Sequence, residues 1–296
     1  MDSFRQAARI GRHDHPLSTL RQALSRWRVR SLVSSIRALI HFGPWRHLCR
    51  AAVRLSRPPV HMAPRQSERP SLLPQLDTSS AVRQLQQSSY AVVGALHPAP
   101  LARLRSITER LPLGEYPLMH LIDDDIADLA RDPQVLAVLR AWFRCEPVLL
   151  ESTLMVTGGQ GSLRSGDQTH FHYDFAGWHS LNLFLYLTDV QEGSAVHEVV
   201  SGSDRSIGLR EICLSVNRTE QRVVRHFGAA IHPIMGPAGT LFFEHTEALH
   251  RRRISGERRV MLNLLYASHR GWLSHGRASA EQLRRRARQW AAASDA

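Results

Sequence analysis

Apolar residues along this chain recur at helical spacing in its first half and at strand spacing in its second. Leu17, Leu20, Leu24, Trp27, Leu32, Ile36 and Leu39 recur mostly at three- and four-residue steps, with Arg21, Arg26, Arg28 and Arg30 between them. That spacing predicts an amphipathic helix. Pro44, in "FGPW", breaks it by removing a helical donor, and a second helical piece follows to about Ser56. Residues 57–80 read as a linker rich in proline and polar residues. Beyond it, "AVRQLQQSSYAVVGAL" predicts a helix and then a short strand, and "APLARLRSITERL" a helix. "DDDIADLARDPQVLAVLRAWF" predicts two short helices parted at Asp132-Pro133. Asp123 to Asp125 read as helix capping or solvated surface rather than a metal site.

From residue 147 strands dominate: "PVLLESTLMV", "SLNLFLYLTDV", "AVHEVV", "GTLFFEH" and "RRVMLNLLYAS", with glycine-marked turns between them. Short helices are predicted at 207–215 and 219–227. A tail helix follows, with Ser279 and Gln282 at capping-box spacing. Helices first and strands after, without a βαβ rhythm, give an α+β fold. In 180–187 the alternation puts Ser180, Asn182, Phe184 and Tyr186 on one face and Leu181, Leu183, Leu185 and Leu187 on the other. The leucine face is expected against helices. The polar-aromatic face is expected to line the inside of a jelly roll that encloses a ligand.

Composition changes the picture only at the N-terminus. The 296 residues are 43% hydrophobic and 22% charged, enough for one large core or a core plus an appendage. No apolar run reaches the roughly 18–20 residues of a membrane span, and no secretory signal is evident. Cys49, Cys145 and Cys213 are too few and too scattered for a disulfide framework, so a reducing, cytoplasmic setting is expected. The net charge of +12 is carried without a single lysine. Residues 1–70 hold 14 arginines against three acids, a net of +11, whereas the rest holds 24 arginines against 23 acids. The chain therefore divides into a basic helical leader and linker, 1–70, and a nearly neutral domain, 71–296. A neutral body argues against nucleic acid as partner. The leader can lie on a membrane surface, dock a partner or pack on its own domain.

The candidate chemistry starts at "HFHYD", residues 170–174. On a strand His170, His172 and Asp174 share a face. His172 and Asp174 with His250, from "FFEHTEALHRRR", make the two-histidine, one-carboxylate facial triad of non-haem Fe(II) sites, which leaves three coordination positions open. Alternatives are a His-x-His pair of His170 and His172, as in cupin metal sites, and His245 in place of His250. His179, His197, His226 and His232 read as ordinary surface or hydrogen-bonded histidines, as does His245 outside that role. An arginine in "GERRVMLNLLY" can grip a carboxylate through two parallel hydrogen bonds. Arg258 and Arg259 compete for this role, because a one-residue step reverses a strand side chain. Arg259 is preferred, since its register places polar Asn263 on the same face.

With these segments in order, the sequence resembles the phytanoyl-CoA dioxygenase-like group of Fe(II)/2-oxoglutarate oxygenases. The matching stretches are "HFHYD", "LNLFLYLTDV", "HEVVSGSDR", "GTLFFEHTEALHR" and "GERRVMLNLLY", spanning about 170–266. The resemblance implies a double-stranded β-helix (jelly-roll, cupin-like) core flanked by helices. It implies Fe(2+) on His172, Asp174 and His250, and 2-oxoglutarate on Arg259 with Asn182 and Asn263 lining its pocket. It further implies hydroxylation of a small-molecule substrate with O2, the substrate being lipid-like, an amino acid or a secondary metabolite. Ser201 and Asp204 depart from the usual Pro-Gly-Ser-His segment. Asp174 is retained, where halogenating relatives carry a small residue. The contrasting expectations are a cupin-like metalloprotein and a non-catalytic jelly-roll binding protein whose basic leader docks a membrane or partner.

Overall fold

A computed structural model describes residues 44–59, 70–158, 169–174, 176–206, 220–270 and 278–295. The helices expected at 17–39 and 207–215 lie outside the described residues. Helices cluster early: α1 (Arg46–Ser56), α2 (Thr78–Ser88), α3 (Pro98–Arg110), α4 (Asp124–Ala130) and α5 (Pro133–Phe143). Carboxylates start three of them. Asp77, Asp123 and Asp132 each accept from a backbone N–H in the first turn of α2, α4 and α5, supplying partners for donors the helix itself leaves unpaired. Helices α6 (Glu220–Phe227) and α7 (Ala280–Ser294) follow later, and α7 opens on the Ser279–Gln282 capping box.

The described strands form two antiparallel sheets. The larger comprises β1 (Tyr90–Ala95), β2 (Gly114–Tyr116), β3 (Val148–Thr157), β4 (Ser180–Tyr186), β7 (Thr240–His245) and β9 (Arg259–Ala267), in the order β1-β7-β4-β9-β3-β2. The smaller comprises β5 (His197–Val200), β6 (Ile231–Ile234) and β8 (His250–Arg252), in the order β6-β5-β8, and a bridge between His172 and His250 extends it. The short strands β2, β6 and β8 carry too few residues for alternation to reveal them. His250 is the first residue of β8.

Period two explains how the sheets pack. Leu181, Leu183 and Leu185 of β4 join one buried cluster with Leu85 of α2, Ile107 of α3, Leu139 of α5 and Trp290 of α7. Phe184 and Tyr186 of the same strand face the other way. They meet Val199 and Ile234 of the small sheet together with Phe242 and Met261 of the large one. The large sheet is thus covered by helices on one face and by the small sheet on the other. Between the sheets lies an interior that is apolar at Phe184, Phe242 and Met261 and also holds the buried polar side chains of Asn182, Glu244 and Arg259. Among the described residues no helix is long and apolar enough to cross a membrane.

Candidate metal centre and polar interior

Two buried rings aim the first candidate ligands. Phe171 and Tyr173 are 0% and 1% exposed and pack with Val200, Val223 and Leu249 on the outer side of the small sheet. Alternation therefore turns the intervening His172, and Asp174 beyond, to the inner side. Leu249 anchors His250 in the same way. The His172 N–H donates to the His250 carbonyl at 2.9 Å and the His250 N–H returns to the His172 carbonyl at 2.8 Å, so the two imidazoles stand directly opposite each other. The Asp174 N–H is held by the Thr246 carbonyl at 2.8 Å.

One donor atom from each of His172, Asp174 and His250 falls within 4.8 Å of the others. His172 Nδ1 is 2.7 Å from the His170 carbonyl, and His250 Nδ1 is 3.0 Å from the Ala248 carbonyl. A carbonyl can only accept, so each Nδ1 carries a proton, and in the neutral tautomer the lone pair falls on Nε2. This is how hydrogen bonding at the far nitrogen prepares a metal-binding imidazole. His250 Nε2 lies 3.6 Å from Asp174 Oδ2. Burial lowers the pKa of His250, which favours the neutral form a metal needs. The Asp174 side chain is 43% exposed and that of His250 is 6% exposed, so the cluster sits at the mouth of the interior. Beside it a groove of about 400 Å³ is lined by His170, Phe171, Glu220, Ile254 and the three arginines 251–253.

Deeper inside, Glu244 of β7 places Oε1 3.3 Å from His250 Nδ1 and Oε2 2.5 Å from His197 Nε2. Both groups are fully buried. Burial pushes the Glu244 carboxyl up and the His197 imidazole down, the nearby Arg259 guanidinium adding to the latter. A neutral pair sharing one proton is the state this environment favours. His197 is hydrogen-bonded, as expected of it, but inside the site: its ring stacks on His250 with centroids 5.4 Å apart.

Arg259 also points into this interior. It is 2% exposed, and its Nη1 donates to the Ala195 carbonyl at 2.6 Å. Burial lowers its pKa to about 10, which leaves it cationic at neutral pH. Among the described residues, Arg259 Nε, both amide atoms of Asn182 and Asn263 Oδ1 are buried without a hydrogen-bond partner. An unpartnered buried polar group costs about 1–3 kcal/mol. A guanidinium edge, two amides and a three-donor cluster at the mouth fit a small, doubly anionic guest that chelates a metal at one end.

His245 and Arg258 are not part of this arrangement. His245 lies on the opposite face of β7, with its ring against Trp142 and His179 and its Nδ1 3.4 Å from Asp204 Oδ2. Asp204 also accepts from the Ser89 hydroxyl, so the departure at this loop ties it to the start of β1. His170 contributes its carbonyl to the cluster and not its ring. Glu244 and His197 were missed in the sequence. Alternation puts Phe242 and Glu244 of β7 on one face, but both faces of this strand are buried, so the pattern does not say whether the acid or His245 turns inward. His197 has no signal, because β5 spans only four residues.

No family model matches the chain, and no curated protein matches it in sequence. Solved structures do. EctD from S. alaskensis in its apoform superposes with a TM-score of 0.52 at 18% identity, over 68% of this chain and 85% of that one. HygX from Streptomyces hygroscopicus with nickel and 2-oxoglutarate bound gives 0.50 at 15% identity, over 69% and 93%. SnoK, a non-heme alpha ketoglutarate dependent carbocyclase from nogalamycin biosynthesis, gives 0.50 at 16% identity, over 68% and 87%. At these identities the likeness shows a shared fold.

Proposed function

We propose that this protein is a non-haem Fe(II)- and 2-oxoglutarate-dependent dioxygenase that hydroxylates a small molecule. The observation that carries the reading is the pairing of the His172–Asp174–His250 cluster at the mouth with the buried, inward-facing Arg259 behind it. His172 and His250 would hold the metal through Nε2 and Asp174 through a carboxylate oxygen. Arg259 would receive the distal carboxylate of 2-oxoglutarate, with Asn263 and Asn182 further along the same face of the sheet. When bound, iron with 2-oxoglutarate and O2 supplies the oxidising power, 2-oxoglutarate leaving as succinate and CO2. The protein's part is to hold the ligands on one face, to orient both imidazoles through their Nδ1 hydrogen bonds and to bury the guanidinium so that the anion is gripped away from water.

The architecture is read as a double-stranded β-helix of the phytanoyl-CoA dioxygenase-like kind, with the oxygenase body in 71–296. The groove beside His170 gives the substrate an approach. Retention of Asp174 favours hydroxylation. The carbocyclase activity in the name of SnoK makes ring closure the second outcome to look for. Incubation with Fe(II), 2-oxoglutarate and O2 tests the reading. Succinate that requires iron and disappears in Asp174→Ala is expected, whereas a non-catalytic binding protein forms none.

A further inference from the structure

Helix α1 docks with its polar side inward. Arg54 Nε donates to the Phe143 carbonyl at 3.1 Å and Arg57 Nη1 to the Ser268 carbonyl at 3.0 Å, while Leu48 and Leu55 are 75% and 84% exposed. The two remaining arginines of this segment converge on one acid. Arg46 Nη1 lies 3.1 Å from Glu247 Oε2, and Arg50 Nη2 lies 2.5 Å from Glu247 Oε1. Arg50 Nε also donates to the Trp178 carbonyl. The Glu247 side chain is only 4% exposed, and these two guanidiniums are its ion-pair partners.

Glu247 sits between the two residues whose carbonyls set the candidate ligands. Thr246 receives the Asp174 N–H, and Ala248 receives His250 Nδ1–H. The same turn is fastened on other sides. Thr246 Oγ1 meets Ser180 Oγ at 2.6 Å, and the Leu249 N–H reaches Ser203 Oγ at 2.8 Å. The arginines hold its remaining, outward side.

We infer that Arg46 and Arg50 of the basic leader are positioning residues of the metal centre, clamping Glu247 so that the 246–249 turn presents Asp174 and His250 in ligand geometry. The inference rests on reading these residues as metal ligands. It assigns the leader a role within the site rather than as a tether alone. A displacement of Thr246 or Ala248 rotates one carboxylate and one imidazole together, and metal affinity is sensitive to such outer partners.

Co(II) titration of the full chain, followed by its visible ligand-field bands well below the melting temperature, tests the clamp. Arg46→Ala/Arg50→Ala and the milder Glu247→Gln should each weaken Co(II) binding at least about tenfold, in the range typical of outer-shell partners. Arg50→Lys should recover most of the loss. Arg54→Ala removes a comparable contact of the same helix without touching Glu247. It should lower the melting temperature and leave Co(II) affinity as in the wild type. In metal-free protein, amide exchange at Asp174 should quicken in the Glu247 and double-arginine variants and not in Arg54→Ala. Wild-type affinity with unchanged Asp174 exchange in Glu247→Gln overturns the clamp. Equal losses in Arg54→Ala overturn it as well, by reducing it to general docking. Wild-type protein that takes up no Co(II) defeats the metal reading instead, and the exchange data then decide the clamp by themselves.

Discussion

Arg258 and Arg259, adjacent in the chain, serve opposite faces of the large sheet. Arg258 Nη2 donates to the carbonyls of Thr108 and Leu111, both at 2.7 Å, on the helical side. Arg259 Nη1 donates to the Ala195 carbonyl at 2.6 Å, inside the interior. One residue of register therefore separates a structural strut from the candidate anion site.

The two arginines should respond differently to truncation. Arg259→Ala should raise the dissociation constant for 2-oxoglutarate at least about tenfold, because losing a buried charge-assisted contact costs about 2–5 kcal/mol and about 1.4 kcal/mol is one decade. Arg259→Lys should recover only part of this, keeping the charge but not the planar fork. Arg258→Ala should cost about 1–3 kcal/mol of stability with little change in that constant. Calorimetric titration and chemical denaturation of the three variants read both quantities.

A glycine guards the same register. Gly158, at the end of β3, has φ +150°, and a Cβ there would stand 2.7 Å from the Arg258 Cα and 2.9 Å from the Glu257 carbonyl oxygen. Thr157 pairs with Arg259 in the ladder. Gly158→Ala should therefore destabilise the protein by about 1–3 kcal/mol and weaken 2-oxoglutarate binding. Gly256→Ala, where nothing among the described residues lies within 4 Å of the added Cβ, should stay within about 0.5 kcal/mol of wild type. Equal denaturation midpoints for the two variants would refute this.

Asp204 should make stability depend on acid pH. Burial raises its pKa, but the His245 imidazole and the Ser89 hydroxyl outweigh burial and hold the carboxyl at about 2, below the ordinary 3.8. A carboxyl depressed in the folded state stabilises it at pH values above its unfolded pKa, and the benefit is lost as pH falls through the folded one. The side chain is 19% exposed, so screening removes little. Asp204→Asn should cost about 1–3 kcal/mol at pH 7, and the gap from wild type should narrow toward pH 2. Denaturation curves at both pH values check this; a gap that does not change with pH would locate the effect elsewhere.

The long elements were legible because their periodicity is strong and their ends carry chemistry. Asp132-Pro133 parts α4 from α5, and the leucines of β4 mark its helical face. The order of strands in the sheets was not legible, since pairing depends on long-range packing that local pattern does not encode. At the candidate site, His172, Asp174 and Arg259 were proposed from residue type and alternation and His250 from residue type alone, and the fold brings the two histidines and Asp174 together. Glu244 could not be picked out, because β7 carries an acid and a histidine side by side and alternation alone does not say which faces inward. How α1 docks was not legible either, for a physical reason. Its arginines are satisfied by Glu247 and by the carbonyls of Phe143, Trp178 and Ser268, all distant in sequence.

The most direct measurement is anaerobic addition of Fe(II) and 2-oxoglutarate while the visible spectrum is followed. A weak charge-transfer band should grow to one equivalent of iron in the wild type, fall away in His172→Ala, Asp174→Ala and His250→Ala, and survive at raised 2-oxoglutarate in Arg259→Ala. A wild type without the band, or a band of full strength in the three ligand variants, would contradict the account.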